Sequence, residues 1–534
     1  MSKVKKSPKK KKEEEEIEVV EEEKETKTTT KSRTKKKTST SKKTSKKTSS
    51  KSSSSKTTTK KEKETSTKKK KSTSNAKKKK EETASIEESP PKERVEADNV
   101  ENEKLIEEKK EESPEERYLV KPKKVIQPEV NIGTIGHVDN GKSTLVKAIT
   151  GKFPDEHSEE LKRGITIRLG YADADIRECP KCPEPEKYST KKVCPHCGSK
   201  TKLLRRVSFV DCPGHEILMR TMLSGAALMD GVILVIAANQ KCPQPQTREH
   251  LAAVTALGVK NIIIVQNKVE LVSWERAIES YNEIKEFVKG TIAENAPIIP
   301  VSAMHEANID VLLEAIQKYI PTPKRDPDAP SRMLAARSFD VNRPGTRPED
   351  LKGGVLGGSI SRGTIKIGDR IEIRPGLKKR GKDGKIHYIP ITTTVTSIVV
   401  GTRTLADKAG PGGLVAIGTL LDPAMTRTDN LAGSIISAEG HSPEIKSELE
   451  IEYKLFDTVV GSEDMVKVEP IKTKEPLMLN IGTGMTIGIV KKVTPTRLHV
   501  ILNPPLPVDT DLKVSISRQF GRRWRLIGYG DLII

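Results

Sequence analysis

From residue 129 onward, short apolar runs alternate along the chain with segments in which apolar positions recur every three or four residues. The apolar runs predict buried strands at 129–136, 205–214, 231–239, 261–268 and 296–303, and the periodic segments predict helices at 141–150, 215–229, 246–258, 273–291 and 308–320. Strand followed by helix in this order predicts a mostly parallel sheet with helices on both faces. Such sheets bind ligands at the carboxyl ends of their strands.

The pattern changes after the proline-rich segment 320–331. Helical periodicity stops there, and short strands recur between Gly or Pro turns, as in 353–376 and 478–493. This spacing is typical of β-barrels, and the remaining length is enough for two. We therefore expect an α/β domain at 125–325, a first β-barrel at 326–440 and a second β-barrel at 441–534.

The first 124 residues have a different composition. They carry 40 Lys and Arg against 26 Asp and Glu, which is +14 of the formal charge of +22, and their first aromatic residue is Tyr118. A Lys/Ser/Thr/Glu-rich segment of this kind buries too little apolar surface to offset its backbone entropy, so we expect a disordered tail. Two interpretations stay open, a solubilising tail and an electrostatic arm that samples RNA phosphates.

The chain shows no targeting or membrane signal. Met1 is followed by lysines without an apolar segment, and no run approaches the ~20 apolar residues of a membrane span. We expect a soluble, cytoplasmic protein that does not bind membranes.

Four of the six cysteines form two CxxC pairs within residues 179–197. In a reducing compartment, paired cysteines are metal ligands more often than disulfides. Cys179, Cys182, Cys194 and Cys197 have the spacing of a Cys₄ zinc ribbon, in which four thiolates leave no open position for catalysis. We predict a structural Zn²⁺ site, with iron or an empty site as the alternatives. For Cys212 and Cys242 we prefer the interpretation of small buried residues.

A phosphate-binding loop is predicted at residues 136–143, which read GHVDNGKS and lie between a predicted strand and helix. Backbone N–H groups of such a loop cradle phosphates, Lys142 can reach the β- and γ-phosphates, and the Ser143 hydroxyl can bind Mg²⁺. The predicted nucleotide-binding residues of this loop and its helix are Asp139, Asn140, Gly141, Lys142, Ser143 and Thr144.

Three further motifs follow at the ends of predicted strands. DCPG at 211–214 places Asp211 as a ligand of Mg²⁺ through water and Gly214 as an N–H donor to a γ-phosphate. NKVE at 267–270 suits guanine recognition through Asn267, Lys268 and the carboxylate of Glu270. Ser302 and Ala303 suit a backbone contact to the guanine carbonyl. Glu270 stands where the usual motif ends in Asp, and we expect guanine preference to persist. Together the four motifs predict a GTP-binding domain.

RGITIRLGYAD at 163–173 and DCPGHE at 211–216 resemble the translational GTPases. Longer strings, among them RRVSFVDCPGHEILMRTMLSGAALMDG and GRRWRLIGYG, resemble the gamma subunits of archaeal and eukaryotic translation initiation factor 2. The resemblance runs from about residue 127 to 534. It implies a GTPase domain followed by two β-barrels, as in elongation factor Tu, with Thr166 as a Mg²⁺ ligand and γ-phosphate sensor. It also implies that His215 orients the attacking water, so Lys142, Thr166, Gly214 and His215 are the expected catalytic residues.

The resemblance further implies a GTP-hydrolysing carrier of methionylated initiator tRNA that assembles with alpha and beta subunits and delivers the tRNA to the small ribosomal subunit. The first alternative is an elongation-type translational GTPase that carries another aminoacyl-tRNA, against which the cysteine insertion and the chain end at Ile534 argue. The second is an RNA-binding module with a vestigial GTPase, against which the complete set of catalytic residue types argues.

Overall fold

The computed structural model describes residues 126–154, 169–213, 219–381, 386–401, 404–460 and 466–533. The tail at 1–124 and three of the expected catalytic residues, Thr166, Gly214 and His215, lie outside these ranges. Within them, an α/β domain precedes two β-barrels, which confirms the predicted fold class. None of the helices in these ranges is long and apolar enough to cross a membrane.

A seven-stranded sheet forms the centre of the first domain. Its strands are β1 (Val130–Ile135), β2 (Gly170–Glu178), β3 (Tyr188–Ser189), β4 (Lys202–Asp211), β5 (Gly231–Ala237), β6 (Asn261–Asn267) and β7 (Ile298–Val301). Their order is β3-β2-β4-β1-β5-β6-β7, and the five strands from β4 to β7 run parallel. Every residue of β1 and β5 is buried, as expected of central parallel strands covered on both faces.

β2 is not among the strands predicted from the apolar runs. It pairs antiparallel with β4, and its residues alternate between buried and partly exposed positions. Three of its four buried positions are small residues, Gly170, Ala172 and Ala174, so the alternation carries little hydrophobic signal.

Within the described residues, five helices cover the sheet: α1 (Lys142–Thr150), α2 (Met219–Ala226), α3 (Pro245–Ala256), α4 (Trp274–Val288) and α5 (Ile309–Tyr319). α1 and α5 share one apolar core, which includes Leu145 and Ile316. α2, α3 and α4 contribute to a second core, which includes Leu251 and Ile284. The sheet is therefore covered on both faces. The predicted helix at 215–229 is described only from Met219, and residues 214–218 lie outside the described ranges.

The four-cysteine insertion connects β2 to β4 and contains the short strand β3. It joins the domain through Tyr188, which packs against the core shared by α1 and α5. Arg177 Nε at the start of the insertion donates to Thr201 Oγ1 at its end, at 2.9 Å. The same Thr201 hydroxyl donates to the carbonyl of Lys191 inside the insertion at 2.8 Å. The insertion thus has a polar attachment and little apolar core of its own.

The first barrel contains β8 (Arg332–Phe339), β9 (Val355–Arg362), β10 (Ile365–Lys366), β11 (Arg370–Arg380), β12 (Ile386–Val400), β13 (Thr404–Ala406), β14 (Lys408–Ala409), β15 (Val415–Thr419) and β16 (Ile435–Ala438), with the short helix α6 (Pro423–Thr426). Its main sheet has the order β11-β16-β8-β9-β15-β12-β13, and β11 also pairs with β12. That additional pairing closes a six-stranded ring and leaves no free edge among those six strands.

The second barrel is closed in the order β17-β20-β19-β18-β21-β22. Its strands are β17 (Ile445–Leu455), β18 (Pro476–Ile481), β19 (Gly484–Val493), β20 (Arg497–Pro507), β21 (Lys513–Phe520) and β22 (Arg523–Ile533). Alternate residues such as Leu477, Leu479 and Ile481 fill the interior. The first barrel ends at Ala438 and the second begins at Ile445, on either side of the expected boundary at 440, while the domain boundaries themselves stay a prediction.

Polar contacts join the three parts. Asn131 Nδ2 in β1 donates to Ser359 Oγ of the first barrel at 3.0 Å. The guanidinium of Arg332 in the first barrel bonds Asp511 of the second, with 2.8 Å between Nη1 and Oδ1. Arg525 Nη1 in β22 donates to Glu249 Oε1 of α3 at 2.7 Å. The last barrel therefore contacts both the α/β domain and the first barrel.

Candidate nucleotide-binding site and four-cysteine cluster

The phosphate loop, residues 136–143, follows β1 directly and requires glycine at two positions. Gly136 has a φ of 134°, and a Cβ there would lie 2.2 Å from the Val235 carbonyl oxygen. Gly141 has a φ of 88°, and a Cβ would lie 2.4 Å from Asn267 Nδ2. Both residues combine a left-handed backbone with a close approach, so only glycine fits. The loop thereby turns sharply enough to bring the N-terminus of α1 to the end of β1.

Lys142, the first residue of α1, is held inside the loop. Its side chain is 6% exposed, and Nζ donates to the carbonyl oxygens of Gly136 at 3.1 Å and His137 at 2.8 Å. The ammonium group lies where the loop carbonyls and the positive end of the α1 dipole converge. This arrangement can bind the phosphates of a nucleotide.

Ser143 and Asp211 are brought together from different elements, as the sequence predicts for a magnesium site. Ser143 Oγ donates to Asp211 Oδ2 at 2.5 Å, and Thr134 Oγ1 of β1 donates to Asp211 Oδ1 at 2.5 Å. Asp211 is fully buried at the end of β4. A hydroxyl beside a carboxylate is an oxygen ligand set that suits Mg²⁺, which keeps most of its waters and takes few protein ligands.

The guanine motifs meet the phosphate loop through Asn267 at the end of β6. Asn267 Nδ2 donates to the Asn140 carbonyl oxygen at 2.8 Å, and Asn267 Oδ1 accepts from the Ala303 N–H at 3.1 Å. One buried amide therefore links the loop, β6 and the segment after β7. Its hydrogen bonds hold together the segments that carry the predicted guanine-binding residues.

The other predicted nucleotide-binding residues differ in their exposure. Lys268 has a φ of 63°, and Glu270 is exposed in the three-residue 3₁₀ helix Val269–Leu271. Ser302 is 3% exposed, and Thr144 is half-buried on α1. Glu270 faces solvent, and its role toward a guanine base stays a prediction.

Asp139 and Asn140 occupy the tip of the loop. Asp139 has a φ of 62°, a conformation that aspartate tolerates better than most residues. The Asn140 side chain is 1% exposed, and its Nδ2 donates to the Val235 carbonyl at 2.9 Å. Asn140 thus connects the loop to β5 through its side chain and to β6 through its carbonyl oxygen, which accepts from Asn267.

His250 belongs to the site, although the motifs do not indicate it. Its Nδ1 accepts the Gly136 N–H at 2.8 Å, from a position on α3 that is 1% exposed. Burial, and then the charge of Lys142, lowers the pKa of His250 to about 3, so the imidazole is neutral at physiological pH. A single histidine inside a helix has no local signature of this role.

The four-cysteine cluster (Cys179, Cys182, Cys194 and Cys197) brings four sulfur atoms within 4.8 Å of one another. The Sγ atoms of Cys179 and Cys197 lie 3.3 Å apart, and those of Cys182 and Cys194 lie 3.7 Å apart. A tetrahedral Zn²⁺ with Zn–S bonds of ~2.3 Å places its sulfurs ~3.8 Å apart, so the cluster has the dimensions of a closed metal site.

Cys212 and Cys242 lie outside the cluster, and both are buried. Burial, reinforced by the charge of Glu283, raises the pKa of the Cys242 thiol to about 12. Such a thiol is unreactive at neutral pH, which agrees with the interpretation of a small buried residue.

The α/β domain, its lysine-containing phosphate loop, the serine–aspartate pair and the two barrels define a GTPase of the translational class. A family model described as the GTP-binding domain of elongation factor Tu matches residues 127–322, and one described as the C-terminal domain of initiation factor eIF2 gamma matches residues 447–532.

Curated relatives match at higher identity. Translation initiation factor 2 subunit gamma of Pyrococcus horikoshii is 57% identical over 408 residues, which cover 76% of this chain and 98% of the relative. The protein of the same name from Methanocaldococcus jannaschii is 57% identical over 414 residues, covering 78% of this chain and 100% of the relative. The chain belongs to the family of translation initiation factor 2 gamma subunits, and it is a translation initiation GTPase that hydrolyses GTP.

Two solved structures share the fold. A bacterial selenocysteine-specific elongation factor, EF-Sec, has a TM-score of 0.58 at 24% identity, covering 76% of this chain and 58% of that one. The elongation factor SelB of Methanococcus maripaludis, in complex with the GTP analogue GppNHp, has a TM-score of 0.56 at 21% identity, covering 77% and 80%. At this identity the likeness extends to the fold alone.

Proposed function

We propose that this chain, in its GTP-bound state, binds methionylated initiator tRNA and delivers it to the small ribosomal subunit in the cytoplasm, as one member of a heterotrimer with alpha and beta subunits. The observation that carries the proposal is the match to gamma-subunit relatives along nearly their whole length, together with the intact phosphate loop. Hydrolysis then ends the tRNA-binding state.

In the proposed site, the backbone of Asp139–Thr144 and the ammonium of Lys142 bind the phosphates. Asn267, Lys268 and Glu270, with Ser302 and Ala303, bind the guanine base. Support comes from the convergence of these segments at the carboxyl ends of β1, β6 and β7, the edge at which such sheets bind ligands.

Ser143 and Asp211, with Thr166, would hold Mg²⁺, which supplies positive charge to the phosphates when bound. Gly214 would offer its N–H to the γ-phosphate, and His215 would orient the attacking water. Phosphoryl transfer needs little covalent help from the protein, so positioning and charge suffice.

The cysteine cluster would hold Zn²⁺ with a structural role. Four cysteine ligands complete a tetrahedron and leave no coordination position for substrate. The insertion that contains them has little apolar core, so metal binding would supply much of its folding free energy.

The proposed domains are the tail at 1–124, the GTP-binding domain at 125–325 with its cysteine ribbon at 179–197, and the barrels at 326–440 and 441–534. The strand bounds given above are compatible with these limits.

The tRNA proposal is tested with the chain reconstituted with alpha and beta subunits. We expect methionylated initiator tRNA to bind about 5- to 150-fold more tightly with a non-hydrolysable GTP analogue than with GDP, the usual range for coupled ligands. Elongator methionyl-tRNA is the control and should bind weakly in both states. Equal affinity of the initiator tRNA in the two nucleotide states would contradict the proposed switch.

Glu270 is expected to give the site its guanine preference. Guanine donates N1–H and N2–H groups to a carboxylate and adenine does not, so GTP should bind at least about 100-fold more tightly than ATP. XTP, which lacks the N2 amino group, should also bind more weakly than GTP. Removing the carboxylate in Glu270→Ala should reduce GTP affinity about 10- to 100-fold. These affinities can be measured by nucleotide titration.

Glu275→Ala is the matched control, since Glu275 is an exposed glutamate in the first turn of α4, five positions along the chain. It should leave the affinity unchanged. Equal affinities for GTP and ATP in the unmodified protein would refute the guanine assignment.

A further inference from the structure

A hydrogen bond joins α3 to the first residue of the phosphate loop. His250 Nδ1 accepts the Gly136 N–H at 2.8 Å, and the two residues are 114 positions apart in the chain. Both the imidazole and the loop peptide are buried. A buried backbone N–H needs an acceptor, and at this point His250 provides it.

The Gly136 peptide is fixed from several directions. The nearby Val235 carbonyl leaves no space for a side chain, and the carbonyl oxygen of Gly136 accepts from Lys142 Nζ at 3.1 Å. The same residue therefore bonds His250 through its N–H and Lys142 through its carbonyl. These two groups belong to the successive peptide units that meet at the Gly136 Cα, so loss of the His250 bond would free the backbone at Gly136 and let the carbonyl partner of the ammonium group move.

The imidazole is presented by a helix that is itself anchored on both sides. Leu251 and Val254 of α3 lie in the apolar core of the domain. Glu249, the residue before His250, accepts from Arg525 Nη1 of the last barrel at 2.7 Å. Because the pKa of His250 is lowered to about 3, Nδ1 stays available as an acceptor at physiological pH.

We propose that His250 is a positioning residue of the GTPase site, whose Nδ1 holds the Gly136 N–H and, through the backbone of that residue, the carbonyl that keeps the Lys142 ammonium in the geometry that receives the nucleotide phosphates. The inference rests on the proposed nucleotide site. It adds a residue of α3 that contacts neither the phosphates nor the base.

Asparagine and leucine at position 250 separate hydrogen bonding from packing. The two side chains have the same number of heavy atoms, but asparagine places an oxygen near the position of Nδ1 and leucine places a methyl group there. His250→Gln is a further acceptor-loss variant, because its longer side chain carries the amide beyond that position.

We expect the Kd for GDP and for a non-hydrolysable GTP analogue to rise about 5- to 100-fold in His250→Leu and His250→Gln, the effect of one unpaired buried N–H group. His250→Asn should stay within about threefold of the unmodified chain. The melting temperature of each variant in the absence of nucleotide should lie well above the temperature of the titration, so that a difference in Kd between the folded variants reports loop position.

Unchanged nucleotide affinity in His250→Leu and His250→Gln would overturn the proposal. An equal loss in His250→Asn would overturn it too, since the role would then be packing. Lys142→Met, measured in parallel, tests the proposed nucleotide site separately from the role of His250. If Lys142→Met binds nucleotide normally, the proposed nucleotide site is wrong, whereas a loss in Lys142→Met with no loss at position 250 refutes the role of His250 alone.

Discussion

Replacing Lys142 by methionine is expected to reduce the affinity for GDP and GTP about 150- to 5,000-fold, because breaking a buried charge interaction costs on the order of 3–5 kcal/mol. In the structure the ammonium lies 3.1 Å and 2.8 Å from two loop carbonyl oxygens, so it is already positioned before phosphate arrives. Methionine retains the aliphatic volume of the side chain and removes only the charge and the N–H donors.

The folded state of the nucleotide-free protein should be affected much less than binding. A buried ammonium loses its hydration, and this cost offsets a large part of what its hydrogen bonds contribute. We therefore expect a melting temperature close to that of the unmodified protein, measured without nucleotide by calorimetry. Isothermal titration with GDP then gives the binding loss separately from stability.

Lys147→Met provides the matched control. Lys147 lies on the same helix, is exposed, and places Nζ 4.4 Å from the centre of the Phe153 ring, away from the loop. The same chemical change there should alter the GDP affinity less than about twofold. If Lys142→Met and Lys147→Met bound GDP equally well, the phosphate role of Lys142 would be untenable.

The elements that the sequence predicts best are those whose pattern of apolar residues reflects which of their faces are buried. β5 and β6 read as continuous apolar runs because both faces are covered, and the structure places each of them between two neighbouring strands inside the sheet. The motifs converge because each follows a parallel strand, and the carboxyl ends of parallel strands meet at one edge. Thus the pairing of Ser143 with Asp211 follows from topology without any knowledge of side-chain positions.

Contacts that depend on distant residues were not predictable in this way. His250 reaches Gly136 across 114 positions, and Asn140 turns its side chain toward Val235 although the motif places it among nucleotide ligands. β2 was missed because alanine at its inward positions gives a weak alternation. In each case the position of the side chain or strand depends on packing between elements that are distant in the chain, and a short stretch of sequence does not show that packing.

Removal of metal from the cysteine cluster is expected to expose four thiols and to leave the nucleotide site intact. Cys197 is exposed, so metal ligation would be its main protection from a thiol reagent. Cys212 and Cys242 are buried and should not react in the folded protein. Titration of the zinc-loaded chain at neutral pH should detect almost no reactive thiol, and a strong chelator should release four.

The nucleotide site should tolerate this loss because the cluster lies beyond the antiparallel edge of the sheet. β2 and β4 pair along nine register positions, with Ala172 and Phe209 in the apolar core, and these contacts do not require the metal. We therefore expect the GDP affinity to change less than about threefold after chelation. Trypsin should instead cleave at Lys191 and Lys192, which are exposed within the insertion.

Cys194→Ala and Cys242→Ala separate ligation from the effect of losing a buried sulfur. Both residues are buried, but only Cys194 belongs to the cluster. Three thiolates do not close a tetrahedron, so Cys194→Ala should lose its zinc to a chelator that leaves Cys242→Ala with about one equivalent. Metal analysis of the two variants tests ligation, because equal zinc retention would exclude a four-thiolate site. GDP titration tests the effect on the nucleotide site, because a loss of GDP binding together with the metal would mean that the insertion supports that site directly. The expected combination of lost zinc, rapid cleavage of the insertion and unchanged GDP affinity would instead assign the cluster a structural role confined to its own segment.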